Sequence, residues 1–90
     1  LMMHIGGRPG HYDYKARTLI TRYAPDIFVC GHSHILMVKN DPAAGVLYIN
    51  PGACGIQGWH VERTALRFHI DDGNIHGMEV FHEPKMLQKR

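Results

Sequence analysis

The chain has 90 residues, a net charge of +2 and a hydrophobic content of 44%, which is a globular composition with room for one small domain. Neither that charge nor the spacing of the basic residues makes the stripe, interleaved with aromatics, that marks a nucleic-acid partner. No apolar run approaches the ~20 residues of a membrane helix, and nothing near Leu1 resembles a signal peptide, so neither membrane nor secretion is expected.

In chain order, Leu1-Met2-Met3-His4-Ile5 reads as a buried strand that stops at Gly6-Gly7. The following loop, Gly6-Gly7-Arg8-Pro9-Gly10, is too rich in glycine and proline to carry a regular element. It also lacks the Lys-Ser/Thr ending of a nucleotide-cradling loop. Asp13 then caps a helix whose apolar face is Ala16, Leu19, Ile20 and Tyr23, and Pro25 stops it. A second strand, Ile27-Phe28-Val29-Cys30, follows. Strand, helix and strand make a βαβ unit with parallel strands and a right-handed crossover. Beyond it the pattern turns antiparallel. Leu36–Lys39 and Val46–Asn50 are β-prone runs joined by a turn at 41–45. Asn50-Pro51-Gly52-Ala53-Cys54-Gly55 is a tight loop, Arg63–Ile70 alternates as a strand, and Asp71-Asp72-Gly73-Asn74 turns the chain back into Ile75–Phe81. Residues 84–90 read as a polar, basic tail. Cys30 and Cys54 make no disulfide framework. Both are expected to be small buried thiols in a reducing cytoplasm.

The chemistry concentrates at Gly31-His32-Ser33-His34. Glycine lets the chain turn sharply at the strand end, and the two imidazoles then converge on a space at the sheet edge. Neutral imidazole is the commonest protein ligand of divalent transition metals. Ligand sites in open parallel sheets lie beyond the carboxyl ends of the strands, and His4 and Gly31–His34 both leave such ends. His4, His32 and His34 are therefore candidate metal ligands, although a histidine closing an apolar strand can equally be a core residue. Arg8, close to the same edge, is a candidate for a substrate phosphate, against a solvent-facing loop role. His11 and His60 sit beside glycine-rich loops that could border the substrate, whereas His69, His76 and His82 read as surface histidines. Trp59 reads as closing a core or a subunit contact.

Three segments, Met3-His4-Ile5-Gly6-Gly7, Gly31-His32-Ser33-His34 and Ile49-Asn50-Pro51-Gly52-Ala53, resemble in order and spacing the C-terminal half of a calcineurin-like metallophosphoesterase, closest to the small bacterial and archaeal phosphodiesterases. The resemblance covers residues 1–83. It implies the C-terminal half of a two-sheet α/β sandwich and hydrolysis of phosphate esters by two divalent metal ions, Mn²⁺ foremost, with Ni²⁺, Fe²⁺ or Zn²⁺ as alternatives. By motif position it makes His4 and His32 ligands of one ion and His34 of the other. It sets Ala53 where the family's N-P-G-S loop has serine. The family's D-x-H, bridging aspartate and G-N-H-[DE] elements are not in this sequence, so the resemblance implies an N-terminal half that would be this fragment's partner. The isolated fragment is then expected to be inactive, and to self-associate through an uncovered strand edge. Two other readings stay open: a single zinc ion held by His4, His32 and His34, and a metal-free binding or regulatory module.

Overall fold

The computed structural model of the chain describes residues 1–85. Its strands are β1 (Gly7–Arg8), β2 (His11–Tyr12), β3 (Ile27–Val29), β4 (Leu36–Asp41), β5 (Val46–Pro51), β6 (Glu62–Asp71) and β7 (Asn74–Pro84), with one helix, α1 (Tyr14–Tyr23). The α/β class expected from the sequence holds. The strands form a three-stranded sheet in the order β3-β5-β4, flanked by the two-stranded pairs β1-β2 and β6-β7.

The opening apolar run does not form a full strand. It contributes one parallel bridge, Met2 to Val29, supported by Met3 N–H donating to the Val29 carbonyl and Val29 N–H to that of Leu1. Helix α1 connects this segment to β3, so the parallel βαβ arrangement stands. Asp13 caps α1 by accepting from the Lys15 N–H at 3.1 Å. The helix ends at Ala24, whose left-handed φ of 46° precedes Pro25. Of the expected apolar face, Ala16 and Ile20 are buried and Leu19 is half-buried, but Tyr23, on the last turn, is exposed.

Strand β5 is the centre of the molecule. It pairs parallel with β3 and antiparallel with β4, so both of its edges are bonded, and Val46, Tyr48, Ile49 and Asn50 are all buried. Val46 and Tyr48 join Ala16, Ile20, Phe28 and Cys30 in one core under α1. The β6-β7 hairpin turns through Asp72 and Gly73, both at positive φ (50° and 79°), the backbone that an Asp-Gly two-residue turn supplies. Both strands run a little longer than the alternation indicated. Pro84 is still paired with Glu62, and Lys85 N–H donates to the Val61 carbonyl. The rest of the expected tail, from residue 86 on, lies outside the described residues.

Three readings are corrected by the structure. Cys54 is exposed, because its loop runs over the surface; only Cys30 is buried. Trp59 is fully exposed and closes no core among the described residues. The Gly6–Gly10 loop does carry regular structure: Gly7 pairs with Tyr12 and Arg8 with His11 around Pro9-Gly10. Gly7 and Gly10 take the positive φ values (82° and 87°) that this small arch requires.

Candidate metal centre

The carboxyl ends of β3 and β5 meet at one edge, and the candidate ligands gather there. Gly31 N–H donates to the His4 carbonyl at 2.9 Å, which brings the end of the first segment beside the Gly31–His34 loop. The loop folds on itself: Ser33 N–H donates to the Gly31 carbonyl, and Ser33 Oγ accepts from Ile35 N–H. His32 and His34 both have left-handed backbones, with φ of 70° and 65°. Non-glycine residues rarely adopt that region, and strain of this kind concentrates at functional sites.

Asn50 holds the loop from below. Its side chain is almost wholly buried, at 1% exposure, and its Nδ2 donates to Ser33 Oγ at 3.0 Å and to the Gly31 carbonyl at 3.4 Å. Its Oδ1 accepts from Gly52 N–H at 3.0 Å. One buried amide thus joins the Gly31–His34 loop to the Asn50-Pro51-Gly52 loop. Thr64 Oγ1 fastens the latter to β6 through the Pro51 carbonyl at 2.7 Å.

The imidazoles stand in two pairs. His4 and His32 meet edge to face, with ring centroids 5.1 Å apart and planes at 85°. His34 meets His60 in the same manner, at 4.9 Å and 89°. His60 was legible in the sequence only as a neighbour of a glycine-rich loop; its contact with His34 is made by the folding of residues 55–60 over the Gly31–His34 loop. Among the described residues, no group of three histidine, cysteine or acidic side chains is arranged to hold an ion.

Beside the His4/His32 pair lies a cleft of about 250 Å³ bordered by Arg8, His11, His32, Ile5, Ile35 and Met37. Arg8 and His11 face it as cross-strand partners of the β1-β2 arch. Two tyrosines fix that arch. Tyr48 O–H donates to the Gly7 carbonyl at 2.7 Å, and Tyr12 O–H donates to Asp41 Oδ2 at 2.7 Å. Burial, aided by the Cys30 thiol, pushes the Tyr48 phenol up to about 12. Burial and the Asp41 carboxylate raise Tyr12 as well.

Imidazole nitrogen is a neutral donor that suits a divalent transition ion, so the chemistry of these side chains fits one. Two divalent ions ~3.5–4 Å apart also need anionic ligands to offset their repulsion. The aspartates in the first 60 residues are placed elsewhere: Asp13 caps α1, Asp41 accepts from Tyr12, and Asp26 precedes β3 at the far end of the sheet.

No curated protein and no solved structure matches the chain significantly. The profile of the calcineurin-like phosphoesterase superfamily domain matches residues 1–73, a span that holds the first segment, the Gly31–His34 loop, the Asn50-Pro51-Gly52 loop and His60. With four fifths of its length matched, the chain belongs to the calcineurin-like phosphoesterase superfamily.

Proposed function

We propose that this chain supplies the histidine ligands of a dinuclear centre that hydrolyses phosphodiesters, His4 and His32 serving one ion and His34 the other. Membership of a phosphoesterase superfamily supports hydrolysis of phosphate esters. The observation that carries the finer reading is the separation of the imidazoles into pairs, His4 with His32 and His34 with His60. That pairing favours two ions over one ion held by three histidines.

When bound, divalent ions of this kind supply Lewis-acid stabilisation of charge on the phosphoryl oxygens. The chain's own residues do the rest of the work. The imidazoles hold and orient. The Arg8 guanidinium borders the same cleft as His32 and offers two parallel N–H donors to a phosphate. Ile5, Ile35 and Met37 give that cleft an apolar wall for the organic part of an ester. The carboxylates that complete the centre come, in this reading, from an N-terminal half outside these residues, and Mn²⁺ is the foremost ion.

Two measurements test this. Elemental analysis of the 90-residue chain after dialysis should find no more than one weakly held transition ion, because neutral ligands alone do not sustain a pair. Two tightly held ions would overturn the division of ligands. In a chain that carries the D-x-H and G-N-H elements, hydrolysis of a nitrophenyl phosphodiester should depend on added Mn²⁺. There His32→Ala and His34→Ala should each lower the rate by orders of magnitude. Full activity of the His34→Ala chain at unchanged metal content would refute the two-ion reading.

A further inference from the structure

The His34/His60 pair has a geometry that the motifs do not explain. His60 Nε2 lies 3.0 Å from the Gly55 carbonyl oxygen, which can only accept, so Nε2 carries the ring proton. In the neutral ring the lone pair is then on Nδ1. That nitrogen is buried, and no hydrogen-bond partner among the described residues reaches it. A buried acceptor without a partner is costly and rare. The ring of His34 stands against it edge to face at 4.9 Å.

Gly58 shows where the two rings point. A Cβ at this position would lie 2.3 Å from His34 Nδ1 and 3.2 Å from His60 Nδ1. Both nitrogens therefore border the same small space, one that only a glycine leaves open. Gly58 also has a φ of 111°, which disfavours any side chain there. The loop is held from the other side by Lys85, whose Nζ donates to the Gly58 carbonyl at 2.9 Å.

We propose that His60 is a ligand-bearing residue of the His34 site, and that the two Nδ1 atoms facing the space beside Gly58 take a divalent transition-metal cation. The proposal rests on the reading of His34 as a ligand and adds a fourth imidazole to the centre. The Gly55 carbonyl is then the outer partner that fixes the His60 tautomer, the arrangement by which metal-bound histidines are commonly oriented. A buried lone pair without a hydrogen-bond partner, bordering the same space as a neighbouring imidazole nitrogen, is the expected state of such a ligand before the cation arrives.

The test is a Zn²⁺ titration of the full chain, followed by long-range ¹H–¹⁵N spectra of the imidazoles. Zn²⁺ is diamagnetic, so each ring nitrogen is read directly. His60 Nδ1 and a His34 nitrogen should shift together along one binding curve. His60→Ala should weaken the His34 response about tenfold or more, while the His4 and His32 responses stay in place. A His34 response with His60 Nδ1 unmoved would overturn the proposal and leave the proposed function standing. No response from His4, His32 or His34 would overturn that function and the role of His60 with it. Should the His60→Ala chain fail to fold, the wild-type titration decides alone.

Discussion

Asn50 shows how one side chain can organise a site it does not chemically serve. It is buried, it spends three hydrogen bonds on Ser33, Gly31 and Gly52, and it sits below the backbone that carries His32 and His34. Asn50→Ala should remove about 1–3 kcal/mol of stability, since buried partners are left unpaired. It should also weaken cation binding at His32, because the loop loses its floor. Denaturant midpoints together with metal titration check both effects; unchanged midpoints would show that the loop holds itself. His4, His32 and His34 were legible as candidates because strand ends in a parallel sheet can be read from local pattern. His60 was legible only as a histidine that could border the substrate; its pairing with His34 was not, because that partner lies in another loop and is chosen by tertiary folding. Trp59, next to His60, misled for the same reason.

At the scale of elements, α1 and the β4-β5 hairpin were legible because their signals are local: a capping aspartate, a stop before proline, and a turn-rich stretch between β-prone runs. The β1-β2 arch was missed even though Pro9-Gly10 is a turn signal, because pairs of two residues leave no periodicity to detect. What holds the arch is again non-local, namely the Tyr48 and Tyr12 hydroxyls on the Gly7 carbonyl and Asp41. Their chemistry gives a pH dependence. Both phenols are raised above their ordinary value, so the folded state keeps their protons longer than the unfolded chain does. Their contribution is fully present below pH ~10, the unfolded tyrosine value, and is lost as pH rises towards and through about 12. Melting temperatures taken across that window should fall with pH. A Tyr48→Phe chain should show a shallower fall, and an equal slope in both would remove the tyrosines from the account.

At the scale of the molecule, the described residues measure 49 × 30 × 16 Å, a slab with the thickness of one sheet and one helical layer. The α/β class was legible because hydrophobic period changes visibly from strand to helix and back. The two-sheet sandwich was implied by the family resemblance alone; the described residues form one three-stranded sheet and two two-stranded pairs. Large apolar side chains remain at the surface, among them Trp59 at 100%, Val61 at 80% and Met2 at 76% exposure. Exposed apolar surface and unpaired strand edges favour association. The chain by itself is expected to self-associate, seen as a mass that rises with concentration in light scattering after gel filtration. A monomer with a sharp cooperative melt at every concentration would contradict this. Among the described residues no helix is long and apolar enough to cross a membrane.

If His32 and His34 are ligands as proposed, their left-handed backbone sets folding against chemistry at the same two positions. Each such residue costs on the order of 1–3 kcal/mol, a cost that glycine avoids and asparagine lessens. Replacing either histidine by glycine should relax the loop while deleting its imidazole. A library selected for thermal tolerance alone would therefore enrich glycine and asparagine at 32 and 34 and lose the site, whereas one selected for cation capture would keep the strained histidines. The frequencies recovered at those two positions would reveal which pressure shaped the loop.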